Sequence, residues 1–117
     1  MMLIHYLIDI LESAKEEIMI VDNYIDKKFL DICSKINVNI IIITNKINEI
    51  DLEKYYKQYN NIEIKISKSY HDRFIILDKI ILYHSGASFK DLGKKCFAIN
   101  KIDNKNILEK LLDEIKI

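Results

Sequence analysis

The 117-residue chain is half apolar and 31% charged, with no proline and two glycines, so disorder and low-complexity architectures are excluded and a single domain over residues 1–117 is expected. No unbroken apolar run exceeds four residues, as at Ile40–Ile43, Phe74–Leu77 and Ile80–Tyr83, against the roughly 20 that a membrane span needs. The 18 basic and 18 acidic side chains cancel overall, yet from Lys65 to Lys101 eight basic residues face three acidic ones, a local charge of +5 that points to an anionic partner near one part of the surface.

Leu3, Leu7, Ile10, Leu11 and Ala14 recur at helical spacing, which predicts a helix over residues 2–15 with Asp9, Glu12 and Ser13 on its polar side and His5 exposed. The opening stretch lacks a basic leader and carries Asp9 and Glu12 among its apolar residues, as a secretory signal would not, so a cytoplasmic location is expected. Glu17 to Asp22 is apolar and β-branched and predicts a buried strand ending at the Asp22-Asn23 turn. A second helix follows from Lys27 to Ile36, with Phe29, Leu30, Cys33 and Ile36 turned inward.

Val38 to Thr44 is a nearly continuous β-branched run, the pattern of a central strand buried on both faces. Asp51 is placed to cap a short helix from Leu52 to Tyr59, and Ile62 to Ile66 alternates apolar and charged residues as a half-buried strand does. Tyr55, Tyr56 and Tyr59 fall on that helix, where packing or a dimer contact explains them better than base stacking. Arg73 to Leu77 and Ile80 to His84 are separated only by Asp78-Lys79 and predict a hairpin. Phe97 to Asn100 is a candidate last strand and Lys105 to Ile115 a closing amphipathic helix. Alternating helices and strands followed by a hairpin imply an α/β fold, a mixed, mainly parallel sheet flanked by helices on both faces.

The rarer residue types gather in one window. Arg73 is the only arginine among 18 basic residues, and both glycines, Gly86 and Gly93, lie with His71 and His84 between residues 71 and 93. An arginine offers a planar fork that holds a phosphate or carboxylate through two hydrogen bonds, which lysine cannot do. In an extended segment His71 and Arg73 point the same way and can share an anion, whereas Asp78, an odd number of positions on, points away and reads as a turn residue. Gly86 and Ser88 suit a tight turn presenting backbone N–H groups, with Ser88 as the cap of a short helix containing Lys90 and Asp91 and ended by Gly93. His84 either lines the same pocket or faces water. Cys33 and Cys96 have no metal or disulfide spacing and read as small apolar side chains, and His71, Asp72 and His84 match no ligand pattern, so no metal and no cofactor is expected.

His71, Arg73 and Asp78 together spell H-x-R-x-x-x-x-D, followed eight residues later by Gly86-Ala87-Ser88. This resembles the phospholipase D superfamily signature, H-x-K-x-x-x-x-D followed by a G-S-x-N element, with Arg73 in place of the lysine and Gly-Ala-Ser-Phe-Lys in place of Gly-Ser-x-Asn. The early segment Ile-Met-Ile-Val-Asp22-Asn-Tyr24 is similar to a strand and turn often found there.

The resemblance implies the αβα sandwich of the single-motif small bacterial type. It also implies a homodimer that places two histidines across one phosphodiester, and a metal-independent reaction. In that reaction His71 attacks phosphorus to give a phosphohistidine, a second histidine protonates the leaving oxygen, and water releases the product. On it Arg73, Gly86, Ser88 and Lys90 would hold phosphate, with Asp72, Asp78, His84 and Asp91 behind them. Arg73 preserves charge but directs it differently from lysine, and Lys95 to Ile99 supplies no carboxylate to orient His71. Phosphodiester binding, most readily of nucleic acid, with weak or absent catalysis is therefore the expected function. A metal-independent nuclease and a structural dimerisation domain are the alternatives.

Overall fold

The computed structural model describes residues 2–45, 57–67, 72–86 and 99–115. In chain order they form helix α1 (Met2–Glu12), strand β1 (Glu17–Val21), helix α2 (Lys27–Ser34), and strands β2 (Asn39–Thr44), β3 (Ile62–Ile66), β4 (Arg73–Leu77), β5 (Ile81–Ser85) and β6 (Ile99–Ile102). Helix α3 (Lys105–Ile115) closes the chain. The strands make one six-stranded sheet in the order β3-β2-β1-β4-β5-β6. It is the expected mixed α/β sheet with helices on both faces.

Parallel pairing is confined to β1–β2 and β2–β3, while β1–β4, β4–β5 and β5–β6 are antiparallel. The expectation of a mainly parallel sheet thus holds for the first three strands and is corrected for the rest. The turn between β4 and β5 is far too short for the crossover that parallel neighbours require.

Side chains alternate between two layers. Ile18, Ile20, Ile40, Ile42, Ile75 and Leu77 face α1 and α2, where Leu7, Leu11, Phe29, Leu30 and Cys33 complete the larger core. Val21, Ile43, Ile76 and Leu82 face α3, which contributes Leu108, Leu111 and Ile115. Helix starts are capped by the residues that the chain places there: Asp26 Oδ1 accepts the N–H of Phe29 at 2.9 Å, and Asn104 Oδ1 accepts those of Asn106 and Ile107 at 3.0 and 3.2 Å. His5 is exposed, as expected.

Several elements differ in extent from the sequence reading: α1 ends at Glu12 rather than residue 15 and α2 at Ser34 rather than Ile36, β1 and β2 are each one residue shorter, and β5 spans Ile81–Ser85 rather than Ile80–His84. The last strand runs from Ile99 to Ile102 rather than Phe97 to Asn100, because its pairing with β5 sets Ser85 against Ile99 and Leu82 against Ile102. Most of the Leu52–Tyr59 helix lies outside the described residues, with Lys57 and Gln58 in a turn. Tyr59 packs against the larger core and donates its hydroxyl to Asp31 Oδ1 at 2.6 Å, a packing role. Asn61 clasps the start of β2 by donating its Nδ2 to the carbonyls of Cys33, Ile36 and Val38 at 3.1, 2.9 and 3.2 Å. No helix among the described residues is long and apolar enough to cross a membrane.

Candidate functional site

The carboxyl ends of β1, β2, β3 and β5 and the amino end of β4 share one edge of the sheet, the place where open α/β sheets hold ligands. Val21 pairs with Ile43 on one side and Phe74 on the other, so Asp22, the next residue, stands between Thr44 and Arg73. Arg73 in turn pairs with Ser85. Thr44, Asp22, Arg73 and Ser85 therefore form one row across four strands. Alternation turns all four to the face of α1 and α2 that Ile20, Ile42, Ile75 and Tyr83 occupy. Ile66 and Ile99 extend the row on either side.

The row is a polar floor at the margin of an apolar core. Asp22 and Thr44 are 0% exposed and Ser85 1%, while Arg73 is half-buried and reaches solvent. Asp22 Oδ1 accepts the N–H of Tyr24 at 2.9 Å, which tethers the β1–α2 loop to the row. Thr44 Oγ1 has no hydrogen-bond partner among the described residues. Arg73 likewise makes no ion pair among them; the neighbouring Asp72 turns its carboxylate to His84, with Oδ1 and Nε2 3.6 Å apart. A half-buried guanidinium with no carboxylate partner among the described residues can offer its fork to an anion.

His84 stands opposite Phe74 in the ladder, their rings 5.4 Å apart and tilted by 58°, on the α3 side of the sheet. It and Asp72 are thus paired with each other across the sheet from Arg73. Gly86 follows Ser85 at the same edge, exposed and with a negative φ, so the backbone there does not demand a glycine. His71, Ser88, Lys90 and Asp91 lie outside the described residues.

Asp78 belongs to the other edge. It and Lys79 take positive φ values of 54° and 60° in the β4–β5 turn, closed by the Ile80 N–H to the Leu77 carbonyl at 2.9 Å. Its carboxylate accepts the N–H groups of Lys15 at 2.9 Å, Glu16 at 2.7 Å and Glu17 at 3.0 Å. These backbone donors, that of Lys15 foremost, hold the Asp78 carboxyl below its ordinary value. A carboxyl whose pKa is depressed on folding stabilises the fold above its unfolded value, and that contribution is lost as pH falls through the folded one. The Asp78→Ala variant should therefore melt below the parent at pH 7, with the gap narrowing below about pH 4 in thermal melts followed by circular dichroism.

No histidine, cysteine and carboxylate cluster among the described residues could hold a metal. Cys33 is buried in the core, where burial pushes its thiol up and keeps it unreactive. A cavity of about 510 Å³ between α3 and the sheet, lined by Met19, Ile41, Leu112 and the charged Lys65, Lys79 and Glu109, shares no residue with the row.

Sequence reasoning singled out Arg73 but not Asp22, Thr44 or Ser85 as its neighbours. Thr44 and Ser85 end their strands and Asp22 directly follows one, each carrying the polarity change there. Only the ladder register shows that they align.

The chain matches no protein-family model and no curated protein by sequence. Among solved structures it is similar to NucT from Helicobacter pylori, with a TM-score of 0.68 and 16% identity over 95% of this chain and 83% of that one. It is also similar to TrmBL2, an archaeal chromatin protein whose structure shows a novel mode of DNA binding, with a TM-score of 0.56 and 15% identity. That match covers 94% of this chain and 45% of TrmBL2. At these identities the likeness is one of fold, the mixed six-stranded α/β sheet with helices on both faces.

Proposed function

We propose that residues 1–117 form one phosphodiester-binding domain, which holds nucleic acid at Arg73 and works in the cytoplasm as a homodimer with weak or absent catalysis. The observation that carries this reading is the guanidinium of Arg73, half-buried at the carboxyl edge of the sheet and without an ion pair among the described residues. The local excess of lysines and the fold shared with a DNA-binding chromatin protein add to it. Gly86, Ser88 and Lys90 are proposed as further phosphate contacts.

A second reading, a metal-independent nuclease acting through a phosphohistidine at His71, is favoured by the H-x-R-x-x-x-x-D spacing. In that case a second copy is the proposed source of the proton for the leaving oxygen, since His84 lies across the sheet from Arg73.

Incubating single- and double-stranded DNA and RNA with the protein in EDTA, beside His71→Ala and with the oligomeric state measured on the same sample, separates the two. The expected result is salt-sensitive binding without cleavage. Cleavage that persists in EDTA and disappears in His71→Ala would establish the nuclease instead.

A further inference from the structure

We infer that a second copy of this chain docks in the groove between α3 and the β1–β2–β3 half of the sheet, so that the dimer carries its two Arg73 sites apart, on faces turned away from the contact. This rests on the homodimer of the proposed function and names the surface that makes it.

The groove exists because one face of the sheet is less covered than the other. α1 and α2 pack on the face that holds the Arg73 row, whereas α3 is the described helix on the opposite face. A helix is about 10 Å across and strands lie about 4.8 Å apart, so α3 alone cannot shelter six strands. It sits over Val21, Ile43, Ile76 and Leu82. Met19, Ile41 and its own Leu112 are left half-buried along a cavity of about 510 Å³.

The walls of the groove carry opposite charges. Lys65 of β3 and Lys79 of the β4–β5 turn line one side, Glu109 and Asp113 of α3 the other. Glu109 and Asp113 are exposed, one helical turn apart, and make no ion pair among the described residues. The lysines meet carboxylates only loosely. Lys65 Nζ lies 3.7 Å from Glu63 and Lys79 Nζ 4.0 Å from Glu17, beyond the roughly 2.7–2.9 Å of a charge-assisted hydrogen bond.

Across a twofold axis the acidic wall of one copy meets the basic wall of the other, and one patch serves both copies. A nucleic acid would be repelled by Glu109 and Asp113, and a uniformly basic or acidic peptide would meet like charge on one wall. A second copy satisfies both walls and covers the apolar floor. Asp22, Thr44, Arg73 and Ser85 face the other side of the sheet, so each copy keeps its row open to its own phosphodiester.

The test is sedimentation equilibrium of the full chain with two double variants, Lys65→Glu with Lys79→Glu and Glu109→Lys with Asp113→Lys. The parent should dimerise, and each double variant should dimerise at least about tenfold more weakly, because like charges then face each other. An equimolar mixture of the two variants should restore the dimer, which a general loss of fold would not do. A short oligothymidylate should saturate the parent at two strands per dimer. If the parent is a monomer at every concentration reached, the homodimer and the groove fall together. If it is a dimer that the reversals leave intact, or that the mixture fails to restore, the groove is overturned and the homodimer stands on another surface. One strand per dimer overturns the separation of the sites. No strand bound removes the nucleic-acid reading and the two-site claim, while the reversals still judge the groove. Circular dichroism confirms that each variant is folded, and the single substitutions replace any double variant that is not.

Discussion

Replacing Arg73 by Gln is expected to reduce oligonucleotide affinity by a factor of about 10 to 100, the loss that follows when charge-assisted hydrogen bonds to a phosphate are removed. The logarithmic dependence of affinity on salt should flatten by about one unit at the same time, because one fewer phosphate is neutralised. Arg73→Lys should fall between the two, retaining charge but not the two-pronged geometry. Stability should hardly move in any of these variants, since the side chain is half-buried and makes no ion pair among the described residues. Anisotropy titrations at two salt concentrations, with a thermal melt of each variant, measure all of this. An unchanged affinity in Arg73→Gln would remove the anion site.

The largest structural effect should come from Phe29→Ala, at about 3–5 kcal/mol by the usual cost of emptying a buried aromatic site. Phe29 is 2% exposed and packs with Leu7, Leu11, Ile18, Ile20 and Leu30 in the larger core. Against a typical total of about 5–15 kcal/mol, that loss would leave the chain marginal. The bond from the backbone N–H of the same residue to Asp26 survives in the variant, so the cap of α2 is kept and the loss is one of side-chain packing. Urea denaturation should show the midpoint of Phe29→Ala well below that of the parent. Tyr6→Ala, at a site 44% exposed, should shift it by no more than about 0.5 kcal/mol.

Where a short stretch of sequence carries its own periodicity, the structure was legible in advance. The β-branched run before Thr44, the alternation of Ile62 to Ile66 and the helix from Lys105 to Ile115 all appear where residue spacing placed them. β6 runs from Ile99 to Ile102 because its ladder with β5 is set by the partner strand, which the local apolar cluster at Phe97 and Ala98 does not encode.

The same distinction governs the site. Arg73 stood out by composition alone, and Asp78 by its odd spacing from His71 and its place in a turn. That Asp22, Thr44 and Ser85 share a row with Arg73 follows from three separate strand registers, and no local pattern encodes those. The placement of His84 away from Arg73 depends on the register of the β4–β5 hairpin in the same way.

The pairing of β1 with β4 also says something about the order in which this molecule comes together. β1, β2 and β3 neighbour one another in sequence order, and β4 and β5 are joined by a tight turn, so each half is built from comparatively short-range contacts. The seam between them is different: the Asp78 bonds that fasten it join residues 61 to 63 positions apart, so it requires closure of a long loop. Contacts of that span form slowly and reward the chain only once the ends have met. Thr44 and Asp22 lie on one side of the seam and Arg73 and Ser85 on the other. The polar row therefore comes into being only when the two halves dock, and a chain stalled before that step would hold every strand of the site without holding the site.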